Sequence, residues 1–450
     1  MQLHLSDVPG RLTSTRPPAE TRCFTNGRVE DKLREVVDTM ADPELAWLFG
    51  NCYPNTLDTT VFYGVDGQGK PDTYVITGDI AAMWLRDSAA QVRPYLPLIG
   101  EDAGLRSMIE GVVRRQARAI LLDPYANAFY RDPVLGRWKD DCTEMRPGVH
   151  ERKWELDSVA YFLRLSHDYW THAGDCAPFD QTWRSAVEAV LALLRVEQSG
   201  DDESPGSPYT FRRGTGRPPN ARRRRCGLVR CAFRPSDDAV VYPFLVPANA
   251  LMAGALRAIA PLLVELGMTE EASEARAVEM DIRSALAAAA TVHHPRYGNI
   301  LAYEVDGLGG RHLMDDANAP SLLSLPYLGF CAKDDPIYMA TRAFCLRSDN
   351  PHYVAGTAAC GIGSPHTGPG TIWPMALIMQ GLTAVTDEEI VGCLHRLKST
   401  HAGTGMMHES FHANDPERYT RPWFAWANSL FGELILLLHR ERPHLLQQIF

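Results

Sequence analysis

Apolar positions recur every three to four residues along most of the chain, which is the spacing of amphipathic helices. The clearest stripe comprises Leu105, Met108, Ile109, Val112, Val113, Ala117 and Ile120. The same spacing predicts helices near residues 28–49, 84–98, 102–122, 153–173, 183–194, 248–266, 269–291, 335–347, 371–383, 386–399 and 423–440. Strand patterns are sparse and occur at residues 73–77 and near 301–305. The chain is therefore predicted to be all-α.

The predicted helices are of two kinds. Some are rich in charged residues, such as the stretch 269–285, whereas others, such as 248–266, are apolar on most sides. Alternation of exposed and buried helices suits two concentric layers, an outer ring and an inner ring. Loops rich in Trp, His, Asp and Glu would then gather at one end of the ring.

Composition narrows the class of protein. The 450 residues are 45% hydrophobic and 22% charged, which is ordinary for a globular protein with a large core. The formal net charge of −10 argues against a nucleic-acid partner, because phosphates attract a basic surface. No run of 18 apolar residues occurs, so no membrane span is predicted.

The sequence lacks two patterns, a secretory signal and the spacing of metal ligands, and their absence leads to expectations about cellular location and metal binding. The first residues show no basic start followed by an apolar stretch, so we expect no secretory signal and a cytoplasmic protein. The ten cysteines are then expected to be reduced thiols. No Cys or His cluster has the spacing of metal ligands, so neither a metal site nor a cofactor is expected.

Residues 198–230 differ from the rest of the chain. They combine Pro, Gly and Ser with the basic run 222–225, which indicates a loop insertion in a single domain that spans 1–450. A solvated, mobile surface loop is the favoured interpretation. A nuclear signal or a site for an anionic partner is the less favoured alternative.

Two polar clusters fall at predicted helix starts. Trp84, Arg86 and Asp87 form the first; helix capping and an ion pair would explain them, as would a clamp for sugar hydroxyls. Glu155 belongs to the second, with Asp157, and an ordinary acidic helix start explains much of it.

Three further clusters carry acids, a histidine and a tryptophan. Asp237 and Asp238 follow Arg234 and precede an apolar run, where charge is costly to bury unless it is paired or protonated. The Gly- and Pro-rich stretch 361–374 predicts a rigid loop that carries His366 and Trp373. Glu409 has Met, His and Phe around it, an apolar setting that can perturb a carboxyl group.

Together these clusters suggest a sugar-binding pocket. In a helical ring, acids and tryptophans near helix ends can converge, and a pyranose needs aromatic faces, hydroxyl partners and two acids at the scissile bond. One aspartate of the pair, Asp237 or Asp238, would be the general acid, with its pKa raised by apolar neighbours and a like charge. The other would bind substrate or orient the first.

These residues closely resemble the exo-α-1,6-mannosidases of glycoside hydrolase family 125. The matching motifs are YVITGDIAAMWLRDSAAQVRPYLPL, ERKWELDSVAYFLRLSHDYW, FRPSDDA, GIGSPHTGPGTIWPMALIMQGLT and MHESFHANDPERYTRPWFAWANSLFGELIL, and they extend over nearly the whole chain. The resemblance implies an (α/α)6 toroid and a mannose-containing oligosaccharide as substrate. It implies metal-independent, inverting removal of non-reducing-end α-1,6-linked mannose, as in the breakdown of N-glycan fragments.

The resemblance also implies roles for single residues. It puts the general acid on Asp237 or Asp238, with Asp237 preferred, and the general base on Glu409. Arg86 and Asp87 fall in the subsite for the terminal mannose. The remaining substrate-binding candidates are Trp84, Glu155, Arg234, His366 and Trp373.

The sequence departs from the family pattern in one place. Where the family has an aromatic-bearing stretch of the type Gly-Met-Thr-Trp-Ser-Gly, residues 227–232 read GLVRCA. Arg230 then stands where a tryptophan is expected. We therefore expect the subsite next to the scissile bond to be altered.

Three alternative functions stay open. The first is another toroid glycosidase or a phosphorylase, although a phosphorylase needs no base carboxylate such as Glu409. The second is a carbohydrate-binding homologue without turnover, supported by the altered 227–232 stretch and the basic insert. The third is an α-solenoid scaffold, which would require sequence repeats, and none is visible.

Overall fold

The computed structural model describes residues 12–200, 206–213 and 224–450. The described residues contain fourteen α-helices: α1 (Gly27–Val37), α2 (Pro43–Cys52), α3 (Asn55–Thr59), α4 (Leu85–Val92), α5 (Ala103–Leu122), α6 (Leu156–Ala173), α7 (Gln181–Glu197), α8 (Val246–Glu265), α9 (Thr269–Ala285), α10 (Pro336–Cys345), α11 (Pro374–Thr383), α12 (Asp387–Ser399), α13 (Ala425–Glu441) and α14 (Pro443–Leu446).

The helices form two concentric rings, and the prediction of an all-α, (α/α)6 toroid is confirmed. In the inner ring α4 packs on α6, α6 on α8, α11 on α13, and α13 back on α4. The outer ring consists of α2, α5, α7, α9, α10 and α12. All eight residues of α4 are buried, whereas α9 buries only one face. The two kinds of helix in the sequence are therefore the two rings.

The inner ring has five α-helices among the described residues. An irregular segment, residues 321–330, takes the place of the sixth and comes between α8 and α11 in chain order. It forms single helical turns, in which the backbone N–H of Leu328 donates to the carbonyl of Ser324 at 3.0 Å. Pro326 lies inside this turn, where it can donate no backbone hydrogen bond. The hydroxyl of Tyr338 on α10 donates to the carbonyl of Leu323 at 2.8 Å and ties the segment to the outer ring.

Short strands make six small antiparallel sheets among the described residues. The strands are β1 (Val61–Val65), β2 (Pro71–Val75), β3 (Met83–Trp84), β4 (Ala128–Phe129), β5 (Val149–Glu151), β6 (Phe244–Leu245), β7 (Thr291–His294), β8 (Gly298–Leu301), β9 (Glu304–Val305), β10 (Arg311–His312), β11 (Tyr353–Ala355), β12 (Cys360–Ile362), β13 (Thr371–Ile372), β14 (Ser410–His412) and β15 (Asp415–Thr420). The sheets are β1–β2, β3–β4–β5, β10–β9–β6, β7–β8, β11–β12 and β13–β14–β15. Many of these strands have only two or three residues, which is too short to show alternation in the sequence, whereas β1, β7 and β15 are longer but are not among the predicted stretches.

Short strands lead directly into several of the inner helices. Strands β3 and β6 end immediately before α4 and α8, and β13 ends one residue before the N-cap of α11. The residues that precede the inner helices, Trp84, Glu155, Leu245, Trp373 and Phe424, make no side-chain caps. Instead the backbone N–H of Leu85 donates to the carbonyl of Asn127 at 3.1 Å. By contrast, Asp or Thr side chains cap α2, α5, α7, α10 and α12 in the outer ring.

One predicted helix is two helices in the structure. The predicted stretch 28–49 divides into α1 and α2, which are separated by residues 38–42. The carboxylate of Asp42 accepts hydrogen bonds from the N–H groups of Glu44 and Leu45, at 3.0 Å each. Pro43 at the first helical position completes a helix start that the apolar periodicity alone did not indicate.

The loop insertion predicted at 198–230 falls partly outside the described residues, including 201–205, 214–223 and with them Arg222 and Arg223. The described part 206–213 differs from a solvated loop, because Tyr209 and Phe211 are buried. Tyr209 stacks on Tyr125 at 5.4 Å, and Phe211 meets Phe233 edge-on at 4.9 Å. Aromatic contacts therefore hold this part against the toroid.

Helix α8 is the one helix in the described part of the chain that is long and apolar enough to cross a membrane. Of its most apolar window, 78% is buried inside the protein. Burial of this kind is typical of a core helix, in keeping with the place of α8 in the inner ring.

Substitution of two helical glycines by alanine tests the packing of the outer ring. A Cβ on Gly111 of α5 would lie 2.8 Å from the backbone nitrogen of Thr73 in β2, whereas nothing lies within 4 Å of a Cβ on Gly50 of α2. We expect Gly111→Ala to lower the midpoint of thermal unfolding, because overpacking costs about 1–3 kcal/mol. The control Gly50→Ala should raise it slightly, since alanine favours a helix by about 0.5–1 kcal/mol. Equal midpoints would contradict this packing.

Candidate active site

Polar residues at the N-terminal ends of the inner helices face one another at one end of the toroid. The charges of Asp237 and Arg421, which come from different loops, are close enough to shift the pKa of Asp87 on α4. The charges of Asp238, Asp237 and Glu409 likewise shift the pKa of His366. The structure therefore brings the sequence-predicted acids into one cluster.

Arg86 is the central cation of this cluster. Its Nη1 donates to Glu155 Oε2 at 2.6 Å and to Asp157 Oδ2 at 3.0 Å. Its Nε lies 3.5 Å from Asp87 Oδ2. The guanidinium also lies over the ring of Trp426, 5.7 Å from its centroid. Arg86 is thus occupied by carboxylates of the protein itself.

Asp87 is the acidic member of the predicted hydroxyl clamp. Its Oδ2 is buried, lies 3.5 Å from Arg86 Nε and makes no hydrogen bond to any described residue. Burial raises the pKa of Asp87 to about 6, and the charge of Asp237 adds to the rise while Arg86 opposes it. A buried acceptor of this kind suits a ligand hydroxyl, which can donate to it.

Asp237 lies in a tight turn with an unusual backbone. Its φ is 65°, in the left-handed region that few non-glycine residues adopt. Within the turn, the N–H of Asp237 donates to the carbonyl of Arg234 at 2.9 Å. The side chain of Arg234 is buried and its Nε donates to Glu304 Oε1 at 2.6 Å. The structure thus places Arg234, a predicted substrate ligand, as the anchor of the turn.

The two adjacent aspartates have different surroundings. Asp237 Oδ1 accepts from Asn127 Nδ2 at 3.2 Å, and the same amide nitrogen lies 3.3 Å from Glu155 Oε1. Asp238 has a side chain that is 33% exposed, accepts from Ser236 Oγ at 3.1 Å and lies 3.6 Å from His366 Nδ1. A hydrogen bond to Asp238 raises the pKa of His366, although burial opposes the rise.

The expectation of a raised pKa is wrong for Asp237 taken alone. Burial would raise the pKa of Asp237, but Lys153 and Arg86 outweigh burial and lower it. The raised pKa belongs to its neighbour Glu155, mainly because that carboxyl is fully buried, with Asp237 adding to the rise. The sequence shows the apolar run after Asp237, but neither cation adjoins Asp237 in the chain.

Glu409 immediately precedes β14 and is 8% exposed. The hairpin of β14 and β15 pairs Phe411 with Tyr419, and the ring of His408 stacks on Tyr419 at 4.0 Å. Arg421 Nη1 donates to Glu409 Oε1 at 3.3 Å. The partner of Glu409 is therefore an ion-pairing arginine, in addition to the apolar neighbours that the sequence predicts.

Arg421 connects Glu409 to a second carboxylate. Its Nη2 is bonded to Asp79, in the loop that leads to β3. The φ of Arg421 is 45°, so its backbone is strained, as that of Asp237 is. Strained backbone of this kind concentrates at functional sites, where the surrounding structure maintains it.

The other predicted residues differ in their access to the cluster. Glu155 is 0% exposed and lies beneath Asp237, with its oxygens accepting from Arg86, Asn127 and Ser158. Trp84 is buried and packs edge-on to His150 at 5.1 Å. Trp373 packs edge-on to His366 at 6.3 Å, which makes it the wall behind that histidine.

Arg230 does not stand in for an aromatic platform. Its Nε donates to Glu197 Oε2 at 2.7 Å, and that glutamate is fully buried at the end of α7. Its guanidinium lies 5.8 Å from the ring centroid of Tyr209. Arg230 therefore pairs with a buried carboxylate, whereas the sequence predicts it in the subsite, in the place of a tryptophan.

Sequence reasoning missed two polar residues of the site. Asn127 donates to Glu155 as well as to Asp237, and Lys153 carries the charge that lowers the pKa of Asp237. Asn127 lies between helices in a loop without any catalytic pattern. Lys153 lies inside the ERKWELDS motif, between Glu151 and Glu155, and this position is the signal from which a cation near the acids could have been predicted.

The chain resembles known proteins over nearly its full length. The sequence profile of the metal-independent α-mannosidases (GH125) matches residues 42–436. The "Meiotically up-regulated gene 157 protein" of Schizosaccharomyces pombe is 43% identical over 466 residues, which cover 98% of this chain and 91% of that protein.

Solved structures agree with this likeness. A metal-independent α-mannosidase of Streptococcus pneumoniae, in a non-productive substrate complex with α-1,6-mannobiose, is 39% identical with a TM-score of 0.88. The match covers 93% of this chain and 100% of that one. A bacterial glucoamylase complexed with acarbose is 12% identical with a TM-score of 0.55, covering 91% of this chain and 56% of that one, and shares the fold alone.

Proposed function

The chain belongs to the metal-independent α-mannosidases of glycoside hydrolase family 125, and we propose that it removes non-reducing-end α-1,6-linked mannose. The substrates would be oligomannosides or fragments of N-glycans. The observation that supports this linkage is the full-length likeness to the S. pneumoniae enzyme bound to α-1,6-mannobiose, a protein whose study concerns the processing of N-linked glycans.

In the proposed mechanism Asp237 is the general acid and Glu409 the general base. Asp237 protonates the glycosidic oxygen as its bond to the anomeric carbon breaks. Glu409, held by Arg421, removes a proton from a water molecule that attacks the opposite face of the sugar. Inverting enzymes hold the two carboxyl groups about 6.5–9.5 Å apart to admit that water.

Asp237 is preferred to Asp238 because of their surroundings. Asp237 shares the amide donor of Asn127 with a second, fully buried carboxyl, that of Glu155, whose raised pKa favours a bound proton. Asp238 is instead paired with His366 at a more exposed place, which suits the binding of a leaving sugar. Asp87, whose Oδ2 makes no hydrogen bond to any described residue, would accept from a hydroxyl of the terminal mannose.

The linkage is tested with a panel of α-1,2-, α-1,3- and α-1,6-mannobiose in the presence of EDTA. We expect release of mannose from the α-1,6 isomer at least about tenfold faster than from the others, which corresponds to about 1.4 kcal/mol of transition-state discrimination. The rate should be the same with and without EDTA. A faster reaction with another isomer would contradict the proposed specificity.

The catalytic roles are tested with Asp237→Asn, Asp238→Asn and Glu409→Gln on two substrates. Loss of the acid should slow hydrolysis of α-1,6-mannobiose by about 10²–10⁴-fold. The acid variant should retain hydrolysis of α-mannosyl fluoride, because fluoride leaves with little help from an acid. Glu409→Gln should lose both reactions, since both require an activated water.

Asp238→Asn is the matched control for Asp237→Asn, because the two side chains are adjacent and equal in size. If the pattern of an acid variant appears in Asp238→Asn, the assignment of the two aspartates must be reversed. If Glu409→Gln keeps full activity on both substrates, the proposed base is wrong.

A further inference from the structure

Three carboxyl groups beneath the site share one hydrogen-bond donor. Asn127 Nδ2 lies 3.2 Å from Asp237 Oδ1, 3.3 Å from Glu155 Oε1 and 3.3 Å from Glu151 Oε2. The amide has two hydrogens, so it cannot donate to all three oxygens at once. Ionised carboxylates are acceptors only, so a proton on one of the three gives these crowded oxygens a second donor.

Glu155 is placed to hold that proton without contact with a substrate. It is 0% exposed at the start of α6, beneath the turn that carries Asp237. Its Oε2 accepts from Arg86 at 2.6 Å and from Ser158 Oγ at 3.1 Å, so the ionised form is also stabilised. Both protonation states of Glu155 therefore have partners in the fold.

Charged groups from several elements face the pair. They are Arg86 and Asp87 on α4, Asp157 on α6, His150 and Glu151 on β5, Lys153 before α6, and His366 before α11. Burial raises the pKa of Glu155 well above its ordinary range, and Lys153 and Arg86 lower that of Asp237. These opposite shifts favour a proton on Glu155, because two buried carboxylates on one amide donor would repel each other if both were ionised.

We propose that Glu155 is a positioning residue that keeps, together with Asp237, the single proton delivered to the glycosidic oxygen. This inference rests on the proposed function. The proton moves from the Glu155 carboxyl to Asp237, and Asp237 passes a proton to the departing oxygen, which keeps the electron pair of the broken C–O bond. Arg86 then stabilises ionised Glu155, and solvent restores the proton after release of the products.

The test is Glu155→Gln, assayed with α-1,6-mannobiose and α-mannosyl fluoride. The glutamine amide can donate to Asp237 and its oxygen can accept from Arg86, so the hydrogen bonds persist while the shared proton is lost. We expect hydrolysis of mannobiose at pH 7 to fall about 10²–10⁴-fold, whereas hydrolysis of the fluoride stays within about threefold. A donor to ionised Asp237 lowers its pKa, so the basic limb of the mannobiose profile should move to lower pH.

Asp157→Asn is the matched control, because Asp157 also binds Arg86 from α6, at 3.0 Å. A purely structural disturbance of Arg86 should lower both reactions by the same factor. If Glu155→Gln behaves in that way, with an unmoved basic limb, the inference is overturned. If the unmodified protein hydrolyses neither substrate, the proposed function itself fails.

An infrared comparison of the unmodified protein with Asp237→Asn provides a readout that does not depend on folding of Glu155→Gln. At pH 7 the substitution should weaken or shift the carbonyl band of one protonated carboxyl, because the charge of Asp237, which adds to the rise in the pKa of Glu155, is replaced by a neutral amide. A band unchanged in both frequency and intensity would contradict the shared proton.

Discussion

The site depends on the balance of buried charge around Arg86. Between them, Arg86 and Lys153 act on the carboxyl groups Glu151, Glu155, Asp157 and Asp237, and Arg86 also acts on Asp87. Arg421 acts on Asp87 as well, and His366 acts on Asp237. Burial of charge is costly, and these cations do not cancel that cost for every carboxylate. Burial accordingly raises the pKa of Asp87, Glu155 and Asp157. Carboxyl groups that bind a proton more readily are thus a consequence of burial in the cluster.

The toroid supplies the place for this cluster. The inner helices begin at residues without side-chain caps, and the backbone carbonyls of Asn127 and Tyr303 accept from the first N–H groups of α4 and α8. Carboxylates near these helix starts are stabilised by the positive ends of the helix dipoles. The side chains at the inner-ring ends are therefore available for the site, while Asp and Thr side chains cap five of the six outer helices.

Much of the fold could be predicted from the sequence, because α5, α8 and α9 have long and regular apolar stripes. Strands of two or three residues could not, since so few residues carry no periodicity. The acids at 237, 238 and 409 stand out in the sequence, but Asn127 and Lys153 are distant from Asp237 in the chain, and Arg421 is twelve residues from Glu409. Which groups hold protons depends on these partners, so the sequence indicated the carboxyl groups without their electrostatics.

If Asp237 and Glu409 act as acid and base on opposite faces of the sugar, the released mannose has the inverted configuration. Proton NMR of the protein with α-1,6-mannobiose and EDTA, followed from the first minutes, resolves the two anomers before they equilibrate. We expect β-mannose to appear first. Early α-mannose would mean retention and would contradict the roles given to Asp237 and Glu409.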